Sequence, residues 1–333
     1  MLSNNFEKIL ECDQWYKMLL EMQSTFIKNT FDFFAQEGIL HVFLPVTTGA
    51  ITSPMGLGSD SLPVEVDIFG IKQYMADSMQ FHLEFLLRLN PNKGVHYLMP
   101  TFRGEETDER HLSQFFHSEA EIVGDLDDVI NLVDRYIHHM SLCYLKIHRE
   151  DIERAAGDTE HIEKLISYNA KIPRVKFDDA LKILEKLSNK DQCIEYYTEH
   201  EFYLITNQGE RELIEHFGGI VWLTNFPYKS VPFYQKRNKD FGYAENADLL
   251  MGIGETVGAG SRCQTLEEIA ESMKEHNVDL NEYEWYLKMK EHSPLKTSGF
   301  GLGVERFLLW ILKHQDIRDI QIIKRENGVI LNP

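Results

Sequence analysis

Cysteine is scarce. The 333 residues hold four, Cys12, Cys143, Cys193 and Cys263, all far apart. That spacing supplies neither a zinc-binding pair nor a disulfide framework, and a reducing cytoplasm is the expected setting. Basic residues are few as well: 34 Lys and Arg stand against 53 Asp and Glu, for a formal charge of −19. Such a chain repels nucleic acid unless a local basic patch overrides its average field, and no basic run occurs. Long apolar runs are missing, so no membrane span is expected. The segment from Met1 to Glu7 has neither the basic start nor the apolar centre of a secretion signal. What remains is ordinary for a soluble enzyme, with 43% hydrophobic and 26% charged residues. The length allows one large domain or two modest ones.

Three stretches carry chemistry. Tyr97–Phe102 and Phe115–Ile122 read as apolar strands joined by a polar loop, Gly104 to Arg110, with Arg103 and Arg110 at its ends. An arginine fork makes bidentate hydrogen bonds to phosphate oxygens, so the hairpin suits a polyanion; taken alone, it is equally a solvated surface hairpin. Ser298 to Ile311 is a glycine-rich segment running into an apolar helix. Its glycines allow close backbone approach, and Arg306 falls in the first helical turn, at the positive end of the helix dipole. Asp248 and Glu255 lie seven residues apart on neighbouring expected strands and could hold Mg²⁺ jointly with phosphate oxygens.

Phe102-Arg103-Gly104-Glu105 with Arg110-His111-Leu112, and later Gly301-Leu302-Gly303-Val304-Glu305-Arg306, together resemble motifs 2 and 3 of the class II aminoacyl-tRNA synthetases. The likeness is greatest to the asparaginyl catalytic core, in the subgroup shared with the aspartyl and lysyl enzymes. It runs from about residue 15 to the C-terminus. It implies an α+β fold, a mostly antiparallel sheet flanked by helices, as one domain over 1–333. Motif 1 would span about 15–45, motif 2 about 97–122, a small helical insertion about 150–215 and motif 3 about 297–313. Pro45 matches the proline of motif 1, and a homodimer is implied.

The resemblance implies attack of an amino-acid carboxylate on the α-phosphorus of ATP, giving an aminoacyl-adenylate and pyrophosphate, with ATP and Mg²⁺ required. Arg103 would hold the α-phosphate and Arg306 the γ-phosphate, with Arg110 and His111 on the β/γ side. Phe115 would stack under adenine, with Glu105, Leu112 and Gly303 close to the nucleotide. Asp248 and Glu255 would be magnesium ligands. Ser78, Gln80, Leu83, Tyr234 and Arg262 would surround the amino acid, asparagine or aspartate, with Arg262 reading its side-chain carbonyl or carboxylate. Leu83 stands where aspartyl enzymes carry lysine, which favours a neutral amide; plain helix packing is the other reading of this residue.

Some features depart from the family. An OB-fold of this family usually precedes the core, and here motif 1 begins almost at the N-terminus; such barrels bind single-stranded nucleic acid. The hairpin tip is about one residue shorter than usual and carries four carboxylates, Glu105, Glu106, Asp108 and Glu109, which disfavour a phosphate backbone. The loop Pro54 to Asp60, where a mobile lid is expected, lacks the family's Glu-Gly-Gly type of sequence, and Gln114 replaces a glutamate. Pro63 to Gly70 is similar to a segment of archaeal-type asparagine synthetases. The expectation is an adenylate passed to ammonia, a small molecule or a protein, with tRNA as a doubtful partner. The alternatives are a core that charges tRNA, and a non-catalytic amino-acid or nucleotide sensor. Retention of Arg103, Phe115, Asp248, Glu255 and Arg306 weighs against the sensor.

Local patterns add further expectations: a helix over 1–37, a strand over 39–45, a helix capped by Asp77 or Ser78, a helix over 126–147, and a solvated acidic helical face over 265–292.

Overall fold

Strand-forming residues alternate on either side of the arginine-bounded loop, and that hairpin forms the second and third strands of the main sheet. The computed structural model describes every residue except 1–4, 12–13, 53–56, 58–61, 239–241, 326–327 and 329–333. The chain starts with α1 (Asn5–Leu10) and α2 (Gln14–Gln36). The single helix expected over 1–37 is thus two, parted by a turn at Glu11. In α2, Met18, Leu19, Met22, Phe26, Phe33 and Phe34 are buried at the three- and four-residue spacing of one helical face. Gly38, at φ +72°, ends it.

Next come β1 (Leu40–His41), β2 (Thr47–Thr48), β3 (Glu65–Ile68) and β4 (Ile71–Met75). The strand expected over 39–45 shrinks to β1, whose two side chains are exposed. The lid expected over Pro54 to Asp60 falls, Leu57 apart, outside the described residues. Helix α3 (Gln80–Leu89) is capped by neither Asp77 nor Ser78; its N-cap is Met79, with no side-chain bond. Ser78 Oγ still accepts the Gln80 N–H at 3.2 Å. The hairpin is β5 (Val95–Phe102) and β6 (Gln114–Val123), paired in register from Val95–Glu121 to Phe102–Gln114.

Helix α4 (Leu126–Ala156) runs beyond the expected end at 147. An Asp125–Asp128 capping box starts it and Gly157, at φ 86°, stops it. The 150–215 stretch is mixed rather than helical. It holds α5 (Glu160–Ser167), β7 (Arg174–Lys176), α6 (Phe177–Leu184), α7 (Lys190–Cys193), β8 (Ile194–Tyr197), β9 (Phe202–Ile205) and α8 (Asn207–His216). Tyr196 and Tyr203 pair across β8 and β9, a strand signal that helical periodicity does not register. After it come β10 (Ile220–Thr224), β11 (Arg237–Asn238), β12 (Tyr243–Ala244), β13 (Asn246–Met251), β14 (Gly254–Ser261), α9 (Leu266–Glu275), α10 (Glu284–His292), β15 (Thr297–Gly303) and α11 (Val304–Ile311).

The main sheet has the order β1-β5-β6-β15-β14-β13-β10-β7. It is antiparallel except for β1 and β7, which pair parallel at its two ends. One face carries the apolar set Ala120, Leu249, Val257, Phe300 and Leu302, packed with α2, α4 and α11. Phe34 sits at its centre, stacked on His96 at 4.0 Å between ring centres and tilted against Tyr136 at 4.8 Å. Among the described residues no helix is long and apolar enough to cross a membrane.

The 265–292 segment is not merely a solvated face. Ile269, Met273, Tyr283 and Tyr286 form a buried cluster with Phe81 and Phe233, and Lys290 is fully buried. Charged sequence hid this, because the apolar positions are few and aromatic.

Phe34→Ala should lower unfolding free energy by about 3–5 kcal/mol through lost burial and a residual cavity. Urea denaturation followed by far-UV circular dichroism checks it; a change under 1 kcal/mol would show that the centre of the core lies elsewhere.

Candidate active site

The sheet's other face is polar because strand geometry sends every second side chain there. On β6 the inward set is Phe115, His117, Glu119 and Glu121. Opposite them β15 offers glycine: Gly299 pairs with Glu121 and Gly301 with Glu119. A Cβ at Gly299 would overlap the Glu121 carboxylate. These glycines therefore make room for protein carboxylates, a use the sequence reading did not assign them.

Two cavities adjoin along this row. The first, about 220 Å³, is walled by Arg103, Glu105, Arg110, His111, Leu112, Phe115, Glu255, Gly303 and Arg306, the whole set expected near a nucleotide. The second, about 430 Å³, is walled by Ser78, Gln80, Leu83, Tyr234 and Arg262, the set expected near an amino acid, together with Asp248. Arg103, His117, Glu255 and Gly301 belong to both.

In the first cavity the cations keep unused donors. Arg103 lies 5.5 Å from the Phe115 ring centre, and its buried Nε has no hydrogen-bond partner. Arg110 gives Nη2 to Glu210 at 3.2 Å, while its buried Nε and Nη1 bond to nothing. Arg306 Nη1 donates to the Glu255 carbonyl and Nη2 to the Arg110 carbonyl. Burial, and then the like charges of Arg103 and Arg110, pull the Arg306 pKa below its ordinary value against the attraction of Glu255. Buried, mutually repelling guanidinium groups with open donors fit a polyanion. His111 Nδ1 is 3.0 Å from Asp108, at the rim of this cavity.

The second cavity is built on buried ion pairs. Arg262 donates Nε and Nη2 to Glu121 at 3.1 Å and lies 5.6 Å from the Tyr234 ring centre. Behind it Lys290 bonds to Glu84 and to the Cys263 carbonyl, and Gln80 donates to Glu84 at 3.2 Å. Burial, aided by Glu84, pushes Glu121 up to about 7, with Arg262 working against it. Glu119 behaves differently. Burial would raise its pKa, but hydrogen bonds from His117, Tyr97 and Ser78 hold it below the usual carboxylate value. Its partners are His117 Nδ1 at 2.8 Å and the Ser78 hydroxyl at 2.7 Å. Leu83 fits both of its readings: it lines the cavity, and it packs among Ala76, Met79, Leu87 and Tyr97.

Asp248 and Glu255 fit a divalent cation. They sit on paired strands, where a bulge after Leu249 brings them together. A Cβ at Gly258 would lie 2.8 Å from Glu255 Oε1 and 3.8 Å from Asp248 Oδ1, so both carboxylates crowd over this glycine. Burial, then Glu255 and Glu210, drive the Asp248 pKa well above the carboxylate range. Two carboxylates held this close together suit a shared divalent cation.

Some wall residues escaped the sequence reading. His117, Glu119 and Glu121 were visible there as the alternation continuing from Phe115. Asn207 and Glu210 come from α8, a hundred residues away; Gly209 to Leu213 resembles a stretch of the asparaginyl core, but the sequence reading assigns it no role at the site.

A class II synthetase fold, with arginines from the central hairpin and from the helix after the last strand, is what these elements define. The sequence family described as tRNA synthetases class II (D, K and N) matches residues 7–326. The chain belongs to this family and covers its catalytic core. A probable cytoplasmic asparagine–tRNA ligase from Encephalitozoon cuniculi is 29% identical over 276 residues, covering 79% of this chain and 58% of the relative. The asparagine–tRNA ligase of Thermoplasma acidophilum is 25% identical, covering 91% and 68%. The crystal structure of Pyrococcus horikoshii asparaginyl-tRNA synthetase complexed with asparaginyl-adenylate superposes with a TM-score of 0.85 at 25% identity, covering 95% of this chain and 70% of that one. The chain thus spans between roughly three fifths and seven tenths of these relatives' lengths.

The raised Asp248 pKa yields a prediction. A carboxyl with a raised folded-state pKa contributes stability below its unfolded pKa and loses it as pH climbs through the folded value. Without magnesium, Asp248→Asn should therefore gain Tm relative to the parent protein between pH 5 and pH 8, by about 2–4 °C. Thermal melts at the two pH values test it. An offset independent of pH would sink the electrostatic account.

Proposed function

We propose that this chain activates asparagine with ATP, forming asparaginyl-adenylate and releasing pyrophosphate. The observation that carries the reading is the junction of the two cavities at Arg103, His117, Glu255 and Gly301. One cavity suits a triphosphate and the other a small zwitterion, and they meet where a carboxylate and an α-phosphate would meet.

The nucleophile is already ionised, so no general base is needed. Catalysis is then positioning and charge neutralisation. Arg103, on the shared wall, holds the α-phosphate and stabilises its five-coordinate state. Arg306 and Arg110 hold the outer phosphates, with His111 assisting, and Phe115 supports the adenine. A magnesium ion held by Asp248 and Glu255 would screen the phosphate oxygens.

Asparagine is favoured over aspartate by two features. Leu83 offers the side chain no cation. Glu119, kept ionised, accepts an amide N–H and repels a carboxylate. The superposed Pyrococcus structure contains asparaginyl-adenylate, which supports the same choice.

The curated relatives are named for tRNA, so tRNA is the first acceptor for the second step. The acidic tip, with Glu106 exposed beside Glu105, Asp108 and Glu109, favours ammonia, a small molecule or a protein as the alternative. A cytoplasmic homodimer completes the reading. Phe43 and Phe69 are fully exposed, and Phe31 and Phe116 border an apolar hollow against α2, an unstable arrangement unless a second copy covers it.

Amino-acid-dependent ATP–pyrophosphate exchange without tRNA is the test. Exchange with asparagine and not aspartate is expected. Arg103→Ala should reduce it roughly 10²–10³-fold, the scale of a lost preorganised donor. Exchange by the Arg103→Ala and Arg306→Ala proteins equal to that of the parent protein would overturn the adenylation reading. Glu119→Gln should lower kcat/KM for asparagine on the order of 10²-fold, as expected for a lost charged hydrogen bond. Discharging the adenylate in turn with tRNA and with ammonia then decides the acceptor.

A further inference from the structure

Away from the two cavities, Glu21 of α2 and His148 and Asp151 of α4 bring three metal-ligating atoms within 4.8 Å of one another. Two of these residues are acidic, which alone means little. The imidazole is what sets the cluster apart.

His148 is only 2% exposed, yet its Nδ1 is buried without a hydrogen-bond partner. That nitrogen faces Asp151, whose Oδ2 lies at 3.6 Å. The distance is too long for a hydrogen bond. It is close to the roughly 3.3 Å between two ligand atoms on one tetrahedral ion with bonds of about 2.0–2.1 Å. The other ring nitrogen, Nε2, lies 2.8 Å from Thr25 Oγ1. With the proton on Nε2 and donated to that hydroxyl, Nδ1 turns its lone pair to the cluster. A hydrogen bond on the far nitrogen is how proteins fix the ligating tautomer. Asp151 Oδ1 is held by Arg154 at 3.0 Å, which leaves Oδ2 for an ion. The backbone at His148 leaves helical geometry, at φ −121° and ψ 20°, inside a 31-residue helix.

We propose that Glu21, His148 and Asp151 bind one Zn²⁺, with a fourth position open to solvent beside the exposed Glu21. A buried imidazole as ligand selects a borderline transition ion over Mg²⁺ or Ca²⁺, which prefer oxygen alone. None of the three residues lines either cavity, so the ion takes no part in the chemistry proposed there. It ties α2 to the kinked end of α4.

The test uses the full chain, stripped with a chelator and then titrated with ZnCl₂ by calorimetry in millimolar MgCl₂, which occupies the Asp248–Glu255 site. One zinc per chain is expected at this site, and zinc should raise Tm. Glu21→Gln and Asp151→Asn change exposed or half-exposed carboxylates and should fold normally. Each should weaken zinc binding at least tenfold, and the double variant should lose the zinc-dependent rise in Tm. His148→Gln removes a buried ring and is not relied upon. Absence of zinc binding, or identical binding and identical melting shifts in the parent and the double variant, would overturn the site.

Discussion

The structure depends on keeping charge buried on one face of an antiparallel sheet. Isolated carboxylates in such a place would cost several kcal/mol each. The fold meets this with alternation and with glycine. On β6 the residues facing α2 and α4, such as Ser118 and Ala120, are small, while Glu119 and Glu121 face the site. Glycines on β14 and β15 leave space for those carboxylates to reach their cationic and hydroxyl partners. A sheet with ordinary β-branched residues at Gly258, Gly299 and Gly301 would have the same hydrogen-bond ladder and no site.

The pairing extends through the protein as a relay of buried groups. Gln80 bonds to Glu84, Glu84 to Lys290, and Arg262 to Glu121. Glu121 of β6 and Gln235 orient Arg262, just past the end of β14, while Glu84 of α3 and Lys290 of α10 form a separate buried pair behind it. Removing one member would leave its partner charged and dry, which is far costlier than losing an exposed pair. The second cavity is therefore held by buried ion pairs on its Arg262 side. The rim of the nucleotide cavity, by contrast, rests on the half-exposed contact of His111 with Asp108.

How much of this the sequence displays depends on separation along the chain. Strands β5, β6, β13, β14 and β15 announce themselves by alternation and by glycine, and Arg103 and Arg306 lie within short motifs tied to those strands. Glu210 and Lys290 do not. Each lies on a charged, amphipathic helix, and Lys290 becomes fully buried, Glu210 partly so, only through contacts with residues far away in sequence. Helix α4 shows the same limit. Its apolar spacing is clear to Ile147, and its continuation past the bend at His148 follows from packing and from capping at Gly157. The cap of α3 fails for another reason: Ser78 and Asp77 are drawn off to Glu119 and Thr52, so residues suited to capping serve the site instead.

An acidic chain proposed to bind ATP, a tetra-anion, needs explanation, and the local charges provide it. Long-range repulsion from a net charge of −19 is screened beyond about 8–10 Å at physiological salt, so the nearby groups decide binding. Three arginines and four glutamates, Glu105, Glu210, Glu255 and Glu305, line the nucleotide cavity. The arginines alone cannot neutralise both those glutamates and ATP. Burial raises the pKa of Glu210 against the pull of Arg110, and that of Glu305 against its hydrogen bond from the Phe116 N–H. Glu255 is left beside an Asp248 whose charged form it opposes. A divalent cation at this pair relieves that repulsion and supplies the missing positive charge in one step. Nucleotide affinity should then rise with magnesium more steeply than screening of the phosphates alone would give, because the ion also removes a repulsion already present in the free protein.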